Sequence, residues 1–317
     1  MNQQLALGID IGGTNTAFGI VDRRGNTLKQ GKISTTKHKD ITSYTDELYN
    51  ALEPLIDEVS GEIKGIGVGA PNGNFYDGTI EFAPNLPWEG VIPLVNIFKE
   101  QFGLPVQITN DANAAAVGEM TYGTAKGMKN FIMITLGTGL GSGIVINGNV
   151  VLGHDGFAGE LGHVIVEKEG RSCGCGRYGC LETYASATGL VRTMKELLSE
   201  KKTDCVFRNI PYEELTSKGI AEEAAKGDQL AIEAIDFTAN ILGKALANFI
   251  AFSAPEAFIL FGGLARAGDL LFNPTIKYMN ENTLKIWKNK VKVLPSDLSA
   301  NDAAILGASA LVWEMQS

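Results

Sequence analysis

Apolar residues along the chain change their spacing several times, and each change predicts an element of secondary structure. The opening segment LALGIDIGGTNTAFGIVDRRGNTLKQGKI contains three apolar runs, separated by a glycine turn and by Arg24-Gly25-Asn26. This order predicts a three-stranded β-meander. The segment NFIMITLGTGLGSGIVINGNVVLG repeats the plan, with strands predicted over 131–136 and 143–146 and a turn at Asn147-Gly148. The repeat suggests two halves that arose by duplication.

Helical periodicity separates and follows these meanders. Between them, helices predicted over 41–59 and 93–102 alternate with the apolar strands IKGIGVGAP and PVQIT. After position 183 helices are predicted over 184–200, 218–226 and 228–252, followed by the strands AFILFGG and VKVL and the closing helix DAAILGASALVWEM. We expect Asp228 to cap the long helix. The alternation predicts an α/β fold in which helices cover a mixed sheet.

The length of the chain predicts two domains. At 317 residues, it exceeds the size at which one hydrophobic core usually stops growing. We place the boundary near Glu119. Residues 1–118 and 302–317 would form a smaller α/β domain, with the closing helix packed back on it. Residues 119–301 would form a larger α/β domain.

Composition and charge exclude several classes of protein. With 44% hydrophobic and 20% charged residues, the chain can build large cores, which a disordered protein cannot. A net charge of -9 argues against a general binder of nucleic acid or of anionic membranes. The most apolar stretch, 241–263, is interrupted by charged residues and Pro255, and the N-terminus lacks a signal-peptide pattern. The sequence predicts a cytoplasmic protein.

Glycine is abundant and concentrated in loops that suit phosphate binding. The chain has 38 glycines, well above the usual share of roughly 7%. Two loops lie in the first turn of each meander, namely Asp10-Ile11-Gly12-Gly13-Thr14 and Gly137-Thr138-Gly139-Leu140-Gly141-Ser142-Gly143. Without Cβ atoms, their backbone N–H groups can approach a phosphate closely. A single loop of this kind is equally well explained as a tight turn. Their recurrence in the same turn favours a grip on one polyphosphate.

Further features refine the nucleotide hypothesis. No GxxxxGK[ST] motif is present, so the chain is not a P-loop enzyme. Asp10 could stabilise its turn or lie near a nucleotide-bound Mg²⁺, and its place beside a phosphate loop favours the second reading. Gly262 and Gly263 follow a buried strand, where a flat adenosine could lie against the backbone.

Asn110 and Asp111 are candidates for chemistry because of where they fall. They follow the strand VQIT and precede an alanine-rich helix, which places them at the carboxyl edge of the sheet, where α/β proteins bind ligands. Aspartate is also a favoured helix N-cap, so position alone leaves both readings open. As a catalytic group, Asp111 would orient a substrate hydroxyl and accept its proton during phosphoryl transfer.

A cluster of histidine and cysteine predicts a metal site. The spacing H-x9-C-x-C-x4-C is formed by His163, Cys173, Cys175 and Cys180, and it suits a closed, structural, tetrahedral Zn²⁺ site. The alternative is three buried thiols and an ordinary histidine. Bound zinc would fix a glycine-rich loop together with the flanking Glu160 and Glu182. Cys205 stands apart and is expected to be a buried apolar residue.

These motifs together resemble the ROK family of sugar kinases and sugar-responsive repressors. The resemblance runs from DIGGT through GELGH and CGCGRYGCLE to ILFGG, nearly the whole chain. It implies the two-domain actin-like ATPase (ribonuclease H-like) fold, with a cleft in which ATP and sugar meet. It also implies a homo-oligomer, either a dimer or a tetramer.

The resemblance also implies roles for individual residues. Asp111 is similar to the catalytic base of the family, and His163 would contact both zinc and sugar. The implied sugar ligands are Asn85, Asn110, Asp111, Glu160, His163 and Glu182. The implied ATP-binding residues are Asp10, Gly12, Gly13, Thr14, Gly137, Thr138, Gly139, Gly141, Gly262 and Gly263.

Within the family, the sequence favours an enzyme over a repressor. Family repressors carry an N-terminal winged helix, whereas here the first strand is expected within five residues of Met1. The negative charge, without an evident lysine-rich stripe, favours ATP over polyphosphate as donor. GVGAPNGN and EFAPNLPWEG are similar to the glucokinase branch, although Asn72 stands where many glucokinases have glycine.

We therefore expect ATP- and Mg²⁺-dependent phosphorylation of glucose to glucose 6-phosphate, a step of glycolysis. Kinases of N-acetylmannosamine, N-acetylglucosamine or fructose are the alternative enzymes. A non-catalytic sugar-sensing regulator is the alternative of another class.

Overall fold

The computed structural model describes residues 3–299 and 302–316. The chain divides into two compact units. The first comprises Met1–Met128, Gly143–Gly159 and Asp297–Ser317, and the second comprises Lys129–Ser142 and Glu160–Ser296. The boundary expected near Glu119 lies inside the helix Asp111–Tyr122, and the first unit keeps this helix whole.

Strands and helices alternate as an α/β fold requires. From the N-terminus come β1 (Gln4–Ile11), β2 (Asn15–Asp22), β3 (Thr27–Ser34), α1 (Ile41–Asp57), β4 (Glu62–Gly69), β5 (Gly73–Asn74), β6 (Thr79–Glu81), β7 (Val91–Ile92), α2 (Leu94–Phe102), β8 (Val106–Thr109) and α3 (Asp111–Tyr122). Then follow β9 (Phe131–Leu136), β10 (Leu140–Ile146), β11 (Asn149–Val150), α4 (Ala187–Glu200), α5 (Ser217–Ala225), α6 (Gln229–Ser253), β12 (Ala257–Phe261), α7 (Asp269–Asn282), β13 (Lys292–Pro295) and α8 (Ala303–Glu314).

The first sheet has the strand order β3-β2-β1-β4-β8. Strands β1, β2 and β3 form the antiparallel meander that the sequence predicts, while β4 and β8 run parallel to β1. On β1, Leu5, Leu7 and Ile9 are fully buried in a core shared with α1 and α2. Because side chains alternate along a strand, Gly8 and Asp10 face the opposite side of the sheet.

On that opposite side, helix α8 lies directly against the strands because two glycines leave room for it. A Cβ atom on Gly8 would lie 2.1 Å from the carbonyl oxygen of Ile305, and one on Gly67 would lie 1.8 Å from that of Ala308. Helices α3 and α8 also cross closely, since a Cβ on Gly118 would lie 2.8 Å from the Cα of Gly307. The closing helix is therefore part of the first unit.

The second sheet has the order β11-β10-β9-β12-β13. This is the same arrangement as in the first sheet, because a meander of three strands is followed by two strands parallel to its first. A small third sheet of β5, β6 and β7 was not identified from the sequence. The repeated order supports the inference of duplication.

Helices α4 to α7 belong to the second unit. Asp228 caps α6 as expected, since its carboxylate accepts hydrogen bonds from the N–H groups of Leu230 (3.0 Å) and Ala231 (2.9 Å). The sequence did not reveal α7, which contains Pro274 and which packs closely on α6 at Gly243. Among the described residues, no helix is both long and apolar enough to cross a membrane.

We predict that Gly67→Ala lowers the free energy of unfolding by about 3 kcal/mol, because the added methyl group would overlap the α8 backbone, which cannot move away as a side chain could. The matched control is Gly263→Ala, at a helical φ of -61°, where an added methyl group would meet no atom within 4 Å. Urea unfolding of the ligand-free variants measures both. Equal stability of the two variants would contradict the proposed contact.

Candidate active site

In the first unit, three parallel strands bring two carboxylates to one edge of the sheet. The register pairs Asp10 with Gly69, and Gly69 with Thr109, so Asp111 begins its helix beside the end of β1. A Cβ on Gly69 would lie 3.6 Å both from Oδ1 of Asp10 and from Cα of Asp111. The edge at which the sequence placed Asp111 therefore also carries Asp10.

The start of α3 shows which of its two polar residues caps the helix. Asn110 is the N-cap, and its Oδ1 accepts a hydrogen bond from the N–H of Ala112 at 2.8 Å. Asp111 is the first residue of the helix, and its own Oδ1 also lies 2.8 Å from that N–H. The capping reading of Asp111 is thus unnecessary, because Asn110 fills that position. The bond to Ala112 instead fixes the direction of the Asp111 carboxylate.

The surroundings make both carboxylates more basic than usual. Burial raises the pKa of Asp10 to about 7, and the neighbouring charge of Asp111 contributes further. The Asp111 side chain is accessible to solvent, but the surrounding protein limits its solvation and raises its pKa, against an opposing contribution from the Ala112 hydrogen bond. Carboxylates of this kind take up a proton or a cation more readily than those on an open surface.

The first glycine loop packs against the segment that carries Asn85. A Cβ on Gly13 would lie 2.7 Å from the carbonyl oxygen of Asn85, so only glycine fits there without displacement. The N–H of Gly12 donates to the carbonyl oxygen of Asn15 at 3.0 Å, and the carbonyl of Thr14 accepts from Thr35 at 2.9 Å. Loop and exposed Asn85 therefore lie together in the first unit.

Asn72 has a conformation that explains how it can replace glycine. Its φ angle is 52°, in the left-handed region that glycine and asparagine tolerate best. Its side-chain N–H₂ donates to the carbonyl oxygens of Glu81 (2.8 Å) and Phe82 (3.3 Å). Asparagine at this position preserves the turn and ties it to the neighbouring strand.

In the second unit, the second glycine loop is linked to Glu182. The Oε2 atom of Glu182 accepts a hydrogen bond from the N–H of Leu140 at 3.0 Å, and a Cβ on Gly139 would lie 2.1 Å from the same oxygen. The N–H of Gly141 donates to the hydroxyl of Thr135 at 3.1 Å. The carboxylate therefore occupies space that the missing side chain of Gly139 leaves open.

Gly262 and Gly263 lie at the same edge of the second sheet as the second glycine loop. Strands β9 and β12 are parallel neighbours, and a Cβ on Gly262 would lie 2.6 Å from the carbonyl oxygen of Leu136. Gly262 has a φ angle of 106°, which L side chains rarely adopt, whereas the space around Gly263 is open. This edge thus carries two of the three glycine segments that the sequence analysis assigned to the nucleotide, namely 137–143 and 262–263.

The N-terminus of α4 also reaches the second glycine loop, which the sequence reading missed. The N–H of Ala187 donates to the carbonyl of Gly137 at 2.9 Å, and the Thr188 hydroxyl donates to the carbonyl of Thr138 at 2.7 Å. Ser186 caps the helix by accepting from the N–H of Gly189. A serine N-cap before a helical pattern was the available signal, but nothing local linked it to a loop about fifty residues away.

The predicted metal ligands come together. Ligand atoms of His163, Cys173, Cys175 and Cys180 all lie within 4.8 Å of one another. The Sγ of Cys173 is 3.7 Å from Nδ1 of His163, and the Sγ atoms of Cys175 and Cys180 are 3.6 Å apart. Tetrahedral bonds to zinc of about 2.0–2.3 Å require separations of roughly 3.5–3.8 Å. These residues fit a single tetrahedral metal ion, and Cys205 lies outside the set.

Arg171 joins the metal-ligand loop to α4. Its buried guanidinium forms an ion pair with Glu196 and donates to the carbonyl of Thr183 (2.8 Å) and the hydroxyl of Thr193 (2.9 Å). The same group lies 4.5 Å from the ring centre of Tyr184. Sequence reading missed Arg171, because a lone arginine in a loop gives no sign of partners on a distant helix. The loop is therefore anchored by side chains as well as by its metal ligands.

Glu160 precedes the 3₁₀ turn Leu161–His163, and His163 is the last residue of that turn. The N–H of His163 donates to the carbonyl of Glu160 at 3.1 Å. Glu160 is exposed, whereas Gly162 is buried, because a Cβ there would lie 2.2 Å from the carbonyl of Leu140. The second unit thus holds Glu160, His163 and Glu182 on the segments that surround its glycine loop.

The protein is a phosphotransferase of the sugar-kinase type. Its site residues include carboxylates at strand ends, two glycine loops and a Cys₃His cluster. The chain belongs to the ROK family, whose model matches residues 6–315. It is 35% identical to a glucokinase of Halalkalibacterium halodurans over 323 aligned positions, covering all of this chain and 97% of that protein.

Two further similar proteins are also glucokinases. A glucokinase of Streptomyces coelicolor is 37% identical, with 98% of each chain covered. The crystal structure of a ROK family glucokinase from Streptomyces griseus, in complex with glucose and AMPPNP, is 34% identical. It matches with a TM-score of 0.81 over 98% of this chain and 99% of that one.

We predict that Asp10→Asn stabilises the metal-free protein increasingly as pH rises. The pKa of Asp10 is about 7 in the folded protein and 3.8 ordinarily, so the folded state holds the extra proton between these values. Stability should therefore fall with rising pH through this window. The advantage of the asparagine should be of the order of 2 kcal/mol greater at pH 8 than at pH 5.

Urea unfolding in the presence of a chelator measures this difference. Asp269→Asn, which changes the first residue of α7, is the matched control and should show no such trend. An advantage of Asp10→Asn that is constant across pH would contradict the raised pKa.

Proposed function

We propose that this chain transfers the γ-phosphoryl group of ATP to the 6-hydroxyl of glucose, forming glucose 6-phosphate and ADP. The observation that carries the proposal is Asp111, which lies at the carboxyl edge of the first sheet with a fixed direction and a raised pKa. Full-length similarity to glucokinases, one of them crystallised with glucose and AMPPNP, supports the choice of substrates.

Asp111 acts as the general base. As the glucose O6 atom attacks the γ-phosphorus, the bond from that phosphorus to the β,γ-bridging oxygen breaks, and the hydroxyl proton passes to the Asp111 carboxylate. A raised pKa suits this role, because the best base has a pKa closer to the working pH. Most of the rate enhancement comes from aligning the hydroxyl with the phosphorus, since phosphoryl transfer depends chiefly on positioning and charge neutralisation.

The proposed sugar ligands are amides, carboxylates and one imidazole. Asn85 and Asn110 belong to the first unit, and Glu160, His163 and Glu182 to the second. The Asn110 oxygen caps α3, so its N–H₂ group is the part that binds a sugar oxygen. Carboxylates accept hydrogen bonds from sugar hydroxyls, and a site built around such bonds rejects analogues that lack them. This pattern favours a polyhydroxylated substrate.

The phosphates of ATP are bound chiefly by backbone groups. The N–H groups of Gly13 and Thr14 in one loop and of Gly137 to Gly139 in the other supply the positive ends of peptide dipoles. Those of Gly12 and Gly141 donate instead to Asn15 and Thr135, and so hold the loops in shape. Bound Mg²⁺ would neutralise phosphate charge, and Asp10 is the carboxylate suited to lie near it. This local neutralisation explains how a chain of net charge -9 can handle a polyanion.

The Cys₃His cluster is proposed to hold structural Zn²⁺. Four protein ligands leave no open coordination position for chemistry, which is the arrangement of structural zinc sites. His163 uses Nδ1 toward the cluster, leaving Nε2 for the sugar. Metal binding would fix the loop from which Glu182 reaches the glycine loop.

A coupled ADP-release assay tests the substrate. Glucose should give the highest kcat/KM among glucose, N-acetylmannosamine, N-acetylglucosamine and fructose. Preference for one of the other sugars would identify the protein as a kinase of that sugar. Sugar binding by calorimetry without turnover of any of the four would favour the sensing regulator instead.

For Asp111→Asn we expect kcat to fall by roughly 10²–10⁴-fold, since the amide cannot accept the proton. The size and hydrogen bond of the side chain are preserved, so glucose binding by calorimetry should change little. Asp269→Asn, at the equivalent position of α7, should retain full turnover. Near-normal kcat in Asp111→Asn would refute the base assignment.

Elemental analysis tests the zinc proposal. The purified protein should contain about one equivalent of zinc, and Cys180→Ala should lose most of it because one of four ligands is gone. Cys205→Ala is the matched control, since Cys205 is also buried but lies outside the cluster, and it should keep its zinc. Loss of zinc in both variants, or in neither, would contradict the assigned ligand set.

A further inference from the structure

A cavity lies within the first unit, on another face of α3 from Asp111. It has a volume of about 360 Å³ and is lined by residues of β8, α3, α8 and the β10–β11 hairpin. Asn113 and Val117 line it from α3. They are four residues apart and share one face of the helix, whereas Asp111 points about 200° from Asn113 around the axis. The cavity is therefore separate from the carboxylate edge.

The size and lining of this cavity suit a small organic molecule. Its volume falls within the range of small-molecule sites, which are mostly apolar with a few polar groups. The apolar side chains of Phe75, Val117, Val150, Leu152 and Leu311 form half of the lining. No described residue that lines it is a lysine, an arginine or a histidine.

Two buried oxygen atoms in the lining have no partner. Thr109 and Asn113 are each 2% exposed, yet Oγ1 of Thr109 and Oδ1 of Asn113 make no hydrogen bond among the described residues. An unsatisfied buried polar atom costs about 1–3 kcal/mol, so native proteins seldom keep two without a reason. A ligand with hydrogen-bond donors would satisfy both.

The charge around the cavity favours a cation. Glu314 lines it and is the last residue of α8, where the helix dipole adds negative potential. The residue is partly open to solvent, which places it where the cavity meets solvent. Limited solvation of the carboxyl raises its pKa. A bound cation would counter that effect.

We propose that this cavity binds a small primary amine, with its ammonium group near Glu314, a second hydrogen-bonding group toward Thr109 and Asn113, and its apolar body against Val117, Leu152 and Leu311. The inference does not depend on the proposed kinase activity. The ligand class follows from the chemistry, since an ammonium group has donors but no acceptor, and the lining offers acceptors and negative charge.

Tyramine is the probe, because it carries an ammonium group at one end and a phenolic hydroxyl at the other, and 4-(2-hydroxyethyl)phenol is its neutral counterpart of nearly the same shape. Calorimetry with the full chain should show saturable binding of tyramine, tighter than that of the neutral phenol. Glu314→Gln should weaken tyramine binding at least tenfold and leave binding of the neutral phenol unchanged. Leu152→Trp should abolish binding of both by filling the cavity. Glu281→Gln, which makes the same charge change on α7, should have no effect.

The variants are first compared by melting temperature. If Leu152→Trp does not fold, Val150→Phe replaces it, and the Glu314→Gln comparison stands in either case. The proposal is overturned if tyramine does not saturate, if both probes bind equally, or if Glu314→Gln and Glu281→Gln bind the amine alike. Unchanged binding in a folded cavity-filling variant would also overturn it, because the amine would then bind elsewhere.

Discussion

The contact of helix α8 with bare backbone on β1 and β4 determines where helix α3, which begins with Asp111, lies. Gly8 and Gly67 remove the side chains that would separate the helix from the sheet, and Gly118 and Gly307 do the same where α3 crosses α8. Backbone packed on backbone leaves little freedom to shift, because no flexible side chain can adjust. The position of Asp111 at the end of β8 follows from this rigid stack.

In the second unit, a missing glycine side chain again makes room for a close contact. Gly139 leaves the space that Glu182 occupies, and Glu182 holds the N–H of Leu140. The carboxylate is therefore tied both to the glycine loop and to the loop of metal ligands from which it comes. Arg171 connects the same metal-ligand loop to α4, whose first residues contact Gly137 and Thr138. Elements far apart in sequence form one connected network.

Local features of the sequence predicted most of the architecture. Hydrophobic periodicity located both meanders, the long helix capped by Asp228 and the closing helix, because these elements bury regular faces. Turn chemistry located the glycine loops, and ligand spacing located the metal cluster. Family resemblance, rather than periodicity, supplied the roles of Asn85, Glu160 and Glu182. Helix α7 escaped notice because Pro274 interrupts its pattern.

What could not be predicted depends on contacts between distant segments. The extent of each unit, the link from Arg171 to α4 and the unpaired oxygens of Thr109 and Asn113 become visible only when the chain is folded. Local patterns also cannot tell which of two adjacent polar residues caps a helix. Asparagine and aspartate are both favoured N-caps, and only the structure shows that Asn110 is the N-cap of α3.

The shared strand order of the two sheets has an evolutionary consequence. In both, the first strand of the meander ends at the edge that carries the candidate site residues, yet the first edge is acidic through Asp10 and Asp111, while the second carries glycines and hydroxyl groups. The inferred duplication accounts for the common location, and later divergence for the different residues. Exchanging the two glycine loops between the halves would keep the topology and remove Asp10 from its place beside Asp111.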